Sequence, residues 1–229
     1  MKNIVKITTS LNPLNLIAPH PCRGCGQLGD PLCICCKKYL LTHSSCLCPN
    51  CKNPTNSGLC PHCPTLPPSY NLGKREGIID LLIHEYKYNS VRALAPILAD
   101  LCNHVLPPLP EDTILVPLPT ATQHIRSRGF DHTLKIAKHL SRLRAIKLSP
   151  LLIRTQNTVQ VGSDKTTRLL QAEQAFSINP KFPINPNATY LIFDDVWTTG
   201  ASIKSAIKKL QQAGANHFII LLLAVSSLD

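Results

Sequence analysis

A chain of 229 residues that is 44% hydrophobic can bury a real core, and 5% aromatics make that core mostly Leu, Ile, Val and Ala. The formal net charge is +11, from six Lys/Arg against one Asp in residues 1–68 and eighteen against twelve Asp/Glu in 69–229. That spread excludes a local basic tail and leaves a diffuse attraction for polyanions, nucleic acid and phosphorylated metabolites included.

The N-terminus, Met1 to Pro21, is broken by Asn12, Pro13, Asn15, Pro19 and Pro21 and has no apolar run that reads as an export signal. Ten of the eleven cysteines lie between Cys22 and Cys63, leaving Cys102 alone. Without an export signal the expectation is a cytoplasmic protein with reduced thiols. The cysteines form Cys22-x-x-Cys25, Cys33-x-x-Cys36, Cys48-x-x-Cys51 and Cys60-x-x-Cys63. A C-x-x-C turn places two thiolates on one tetrahedral metal, so four turns supply two Cys₄ zinc sites. The expected groups are Cys22/Cys25/Cys33/Cys36 and Cys48/Cys51/Cys60/Cys63. An interleaved pairing uses the same residues, and an iron–sulfur cluster or disulfides are the competing readings. Cys35, Cys46 and His43 are spare ligands. Pro64, Pro67 and Pro68 read as a stiff connector, so the expected domains are 1–68 and 69–229.

From residue 75 the pattern changes. Ile78, Ile79, Leu81, Leu82, Ile83 and Tyr86 recur at helical spacing, and 91–105 reads as a second helix. A strand is expected at 113–117, a helix at 133–143, and a strand at 147–153 interrupted by Pro150. Then come a strand at 189–193, a helix at 201–213 and a strand at 217–225. Strands alternating with helices predict an α/β fold with a parallel sheet. Phe218 to Val225 is eight apolar residues, which suits a strand covered on both faces and is too short to span a membrane.

Asp194-Asp195 ends the strand at 189–193, and Thr198, Thr199, Gly200 and Ser202 lead into a helix. In an open α/β sheet, ligands sit at the carboxyl ends of strands. A loop entering a helix offers free N–H groups and the positive end of the helix dipole, which suits a phosphate. Gly200 allows close approach of the backbone. Two carboxylates beside a phosphate need a partner, such as a ribose diol or a Mg²⁺ bridging to the ligand. The plainer reading is a helix cap beside a solvated strand end.

The stretch Tyr190-Leu-Ile-Phe-Asp-Asp-Val-Trp-Thr-Thr-Gly-Ala-Ser202 resembles the signature of type I phosphoribosyltransferases for phosphoribosyl pyrophosphate (PRPP). The resemblance implies ribose contacts from Asp194 and Asp195. It implies a 5′-phosphate cradle from Val196, Trp197, Thr198, Thr199, Gly200, Ala201 and Ser202. Over nearly the whole chain the sequence resembles the ComF subfamily. The matching segments are Ile83-His-Glu-Tyr-Lys-Tyr88, Val116-Pro-Leu-Pro119, Arg126-Ser-Arg-Gly-Phe130, Gln160-Val-Gly162, Arg168, Ala175-Phe176 and the cysteine-rich start. By this resemblance Leu118, Pro119, Arg126 and Arg128 face the pyrophosphate, Mg²⁺ accompanies PRPP, and 156–167 is a lid. Lys87 reads equally as a ligand contact or a snorkelling helix residue.

Four departures border the expected site. Trp197 is larger than usual, Asp131-His132 replaces Asn-Gln, Asn157 stands for Thr and Gln171 for Asn. They bear on transferase turnover more than on binding. The resemblance implies a role in DNA uptake during natural transformation, with single-stranded DNA and a DNA translocase as partners and no membrane insertion. The rival readings are a nucleobase-salvage phosphoribosyltransferase and a non-catalytic protein that senses PRPP or binds DNA.

Overall fold

A computed structural model describes residues 19–155 and 175–226. The lid expected at 156–167, Gln160, Gly162, Arg168, Asn157 and Gln171 lie outside the described residues. The chain divides into two compact units, 1–43 and 44–229.

In the first unit, strand β1 (His20–Pro21) pairs antiparallel with β2 (Leu28–Gly29), and helix α1 (Ile34–His43) follows. Leu32, Leu40 and Cys22 are its buried apolar residues. So small a core leaves metal-gathered cysteines as the natural source of order. The sequence showed no helical period here, because Cys35, Cys36, Lys37 and Lys38 occupy one turn of α1 without an apolar stripe.

The second unit is built on a five-stranded parallel sheet in the order β3-β9-β8-β4-β5. The strands are β3 (Ser69–Tyr70), β4 (Ile114–Pro117), β5 (Lys147–Leu148), β8 (Thr189–Trp197) and β9 (His217–Val225). Helices α2 (Gly77–Lys87), α3 (Leu94–Val105), α4 (Thr122–Arg128), α5 (His132–Arg144) and α6 (Ala201–Gln212) cover it. The parallel α/β expectation holds. β9 is buried from Ile220 to Val225, as an unbroken apolar strand must be when helices cover both faces.

Two elements differ from the sequence pattern. The strand expected over 147–153 is two pieces, β5 and then β6 (Leu152–Arg154). β6 leaves the main sheet and pairs antiparallel with β7 (Phe176–Ile178). Pro150 has no N–H to give a ladder and stands where the chain turns off. The strand expected to end at Phe193 runs on to Trp197, because Asp194, Val196 and Trp197 keep pairing with β9 as far as Val225.

Residues 44–68 pack as part of this second unit. Leu47 and Leu66 lie against the core formed by Ile192, Trp197, Ile203, Leu222 and their neighbours. Asn71 is fully buried; its amide donates to the Leu47 carbonyl at 2.7 Å, and its oxygen accepts from Leu47 N–H at 3.1 Å. The Ser69 amide donates to the Gly58 carbonyl at 2.9 Å.

Candidate functional site at the carboxyl ends of β4 and β8

β4 and β8 are neighbours with Pro117 opposite Phe193, so the residues leaving both strands emerge at one edge. Leu118 extends the contact, its N–H donating to the Phe193 carbonyl at 2.8 Å. Leu118 is buried and Pro119 half-buried. Side chains alternate across a strand, so Asp194 and Asp195 leave β8 on opposite faces. Asp194 lines a hollow of about 40 Å³ with Val196, Trp197, Thr198, Thr199, Gly200, Ala201 and Ser202. The whole expected phosphate segment is thus gathered around one carboxylate.

The turn from β8 into α6 is short. Gly200 has φ +75° and is the residue before the helix. The N-cap residue Gly200 has no side chain to cap α6, and the helix starts at the hollow's rim. Ser202 and Thr199 stand beside them, and Thr199 Oγ1 accepts from the Ala201 N–H at 3.4 Å. Trp197 is 2% exposed and packs into the core, with the Lys204 ammonium 5.7 Å from its ring centre. A Cβ on Gly200 would lie 2.1 Å from the Trp197 ring. The large residue at position 197 is therefore the floor under the glycine turn.

Asp195 has a different environment. Its Oδ2 pairs with Lys87 Nζ at 2.6 Å and with His132 Nε2. The Lys87 and Asp195 side chains are 14% and 9% exposed. Burial pushes the Asp195 carboxyl up, but the His132 hydrogen bond and the Lys87 charge outweigh it and hold it well below the usual carboxylate range. Asp194 goes the other way. Burial, and then the charge of Asp195, raises its carboxyl to about 7. Lys87 is the counter-ion of Asp195.

The basic residues after β4 reach the same edge. Arg128 lies 3.1 Å from His132 Nδ1 and 5.5 Å from the centre of the Tyr88 ring. Arg126 is exposed on α4. Gly129 ends α4 with φ +74°, and Asp131 caps α5 by accepting from the Leu134 N–H at 3.0 Å. Asp131 also accepts from Thr120 and Thr133, each at 2.9 Å. Its role is to begin the helix that carries His132. The sequence marked Asp131 and His132 only as departures; an Asp immediately before an amphipathic helical run was the signal for the cap.

No protein-family model matches the chain, and neither does any curated protein. Among solved structures, it is similar to the allosteric regulatory enzyme of purine biosynthesis, with 14% identity over 61% of this chain and 29% of that one, at a TM-score of 0.44. It is also similar to the glutamine PRPP amidotransferase from B. subtilis complexed with ADP and GMP, with 14% identity over 57% of this chain and 25% of that one, at a TM-score of 0.38. The chain spans less than a third of the length of either protein.

The cysteines gather as two quartets, Cys22/Cys25/Cys33/Cys36 and Cys48/Cys51/Cys60/Cys63, each with its sulfurs within 4.8 Å of one another. Tetrahedral zinc thiolates sit about 3.8 Å apart; Cys25 to Cys33 is 3.7 Å and Cys51 to Cys60 is 3.4 Å. Backbone N–H groups of Gly24 and Cys33 point at Cys22 Sγ, at 3.4 and 3.3 Å. Burial raises the Cys22 thiol, yet these donors bring it down to about 6. Each quartet is thus a compact cage whose geometry fits a structural zinc. Of the spare ligands, Cys46 Sγ donates to the Ser69 carbonyl at 3.3 Å, His43 hydrogen-bonds the Tyr39 carbonyl at 2.8 Å, and Cys35 is exposed. Among the described residues no helix is long and apolar enough to cross a membrane.

Proposed function

We propose that the second unit binds PRPP or a related ribose phosphate at the ends of β4 and β8. One arrangement carries the reading: the start of α6 behind a Thr-Thr-Gly turn, with a glycine at the N-cap and Asp194 in the same hollow. The 5′-phosphate meets the N–H groups of 198–202 and the Thr and Ser hydroxyls, and Asp194 takes the ribose diol. Arg126 and Arg128 meet the pyrophosphate, with Leu118 and Pro119 forming that side of the cleft. Mg²⁺ accompanies the pyrophosphate. This is the ligand of a type I phosphoribosyltransferase fold, fused to a zinc module of residues 1–68 in a cytoplasmic ComF-like protein. Titration calorimetry with PRPP and Mg²⁺ tests it. Saturable heat that Thr199→Val and Ser202→Ala weaken is the expected result, and no heat from the metal-loaded protein overturns it.

Asp195 supports a non-catalytic, ligand-sensing role over salvage turnover. A carboxylate already paired with Lys87 and hydrogen-bonded to His132 is not free to meet a developing positive charge on ribose. Pyrophosphate release in the presence of nucleobases would restore the salvage reading.

The proposed role in DNA uptake draws on a second region. Phe130, Asp131, Leu134, Lys135, Lys138, His139 and Arg142 line a groove of about 350 Å³ along α5. Arg92 and Lys135 lie 5.1 and 5.7 Å from the Phe130 ring centre. Cations beside an aromatic ring suit single-stranded DNA. Binding should weaken steeply with salt and with Lys138→Glu plus Arg142→Glu; salt-independent or absent binding counts against the role and against a DNA translocase as partner.

A further inference from the structure

His132 belongs to neither segment that the ribose-phosphate reading uses, yet it touches both. Nε2 meets the Asp195 carboxylate. On the other side of the ring, Nδ1 lies 3.1 Å from an Arg128 guanidinium nitrogen and 3.0 Å from Thr120 Oγ1. A guanidinium has only donors, so Nδ1 can bond Arg128 only through its lone pair, while the single proton of the Thr120 hydroxyl goes either to Nδ1 or to Asp131, 2.9 Å away. Nδ1 is therefore an acceptor, and the single ring proton sits on Nε2, donated to Asp195. A second proton on Nδ1 would end the Arg128 hydrogen bond and set two positive groups 3.1 Å apart.

The ring is also held in place. His132 is 6% exposed, its carbonyl accepts from the Tyr86 hydroxyl at 3.0 Å, and Asp131 fixes the helix start one residue earlier. Arg128 gains a support from each side, the imidazole nitrogen at one edge and the Tyr88 ring at 5.5 Å. A long side chain that is already ordered loses less entropy when a ligand takes it.

We propose that His132 is a positioning residue, a hydrogen-bonded bridge that holds Arg128 against the pyrophosphate side of the ligand and ties it to Asp195. The proposal rests on the ribose-phosphate reading for its ligand, but the bridge itself is a property of the unliganded protein. The chemistry it needs is one donor and one acceptor at opposite ends of a short side chain. Glutamine supplies both; leucine supplies neither.

Two measurements on the full zinc-loaded chain test it. Nitrogen-15 NMR of His132 is expected to show the proton on Nε2, with an Nδ1 signal that moves in Arg128→Ala. A ring protonated at Nδ1, or an Nδ1 signal indifferent to Arg128→Ala, overturns the bridge whether or not PRPP binds. In PRPP titrations, His132→Leu is expected to bind about tenfold more weakly, the usual cost of an unpaired charged partner, and His132→Gln to regain most of the loss. The His132→Leu effect should vanish in an Arg128→Ala background. If the two losses add, or if Gln is as poor as Leu while both variants melt like the parent, His132 does not act through Arg128. Should the parent bind no PRPP, the functional reading falls and the NMR result alone decides the bridge.

Discussion

Asp194 and Asp195 are adjacent in sequence and opposite in chemistry. Asp195 has a depressed pKa, so the stability from its pairing with Lys87 and His132 is present above the unfolded value of about 4 and is lost only as pH falls towards the folded one. Asp194 has a raised pKa of about 7. Between about pH 4 and 7 the folded protein keeps a proton that the unfolded chain has released, so this residue lowers stability as pH rises through that window. Thermal melts should therefore show Asp194→Asn gaining over the parent, more at pH 8 than at pH 5. Asp195→Asn should do the reverse. It leaves Lys87 charged in a site where its side chain is 14% exposed, at a cost on the order of 3 kcal/mol in denaturant titrations. The acidic pair was legible in the sequence because both residues are contiguous. Its division was not, because Lys87 and His132 arrive from α2 and α5.

At the level of elements, the phosphate turn depends on the fit between Gly200 and Trp197. Gly200→Ala meets two penalties. A left-handed φ of +75° costs an L-residue about 1–2 kcal/mol, and the new methyl collides with the indole at 2.1 Å. Melting temperature should fall, and PRPP affinity with it. Adding Trp197→Val should remove the collision but not the backbone strain, so the double variant should recover part of the stability in the same melts. The sequence read the β8–turn–α6 unit well because it is local: an apolar strand, a Gly turn and an amphipathic helix in one run. It ended β8 four residues early, since charged side chains look like a strand end. Pairing with β9 decides that boundary.

At the level of the whole molecule, the second cysteine quartet is joined to the proposed binding site. Leu47 shares the core with Trp197, and Asn50, which lies between Cys48 and Cys51, accepts from Lys204 of α6 at 3.5 Å. Metal analysis should find two zinc ions per chain, one for each Cys₄ quartet. Cys48→Ser plus Cys51→Ser should remove one zinc, lower the melting temperature and weaken PRPP binding, because Asn50 and Leu47 lose their anchor. A variant that loses this zinc but keeps PRPP affinity would separate the module from the site.

The sequence by itself determined what repeats locally. C-x-x-C pairs, the helical and strand periods, the two arginines after β4 and the strand–acidic pair–Thr-Gly run all stand within a few residues of one another, and each carries its own physical reason. Only the tertiary structure decided what depends on elements far apart in the chain. It divided the cysteines into 22–36 and 48–63 quartets, packed Leu47 and Asn71 together, and turned Pro150 off the main sheet. Above all, it placed a lysine and a histidine around Asp195. Burial makes an unpaired charge costly, so that carboxylate had to find partners, but which residues answered depended on the packing of α2 and α5 against the sheet.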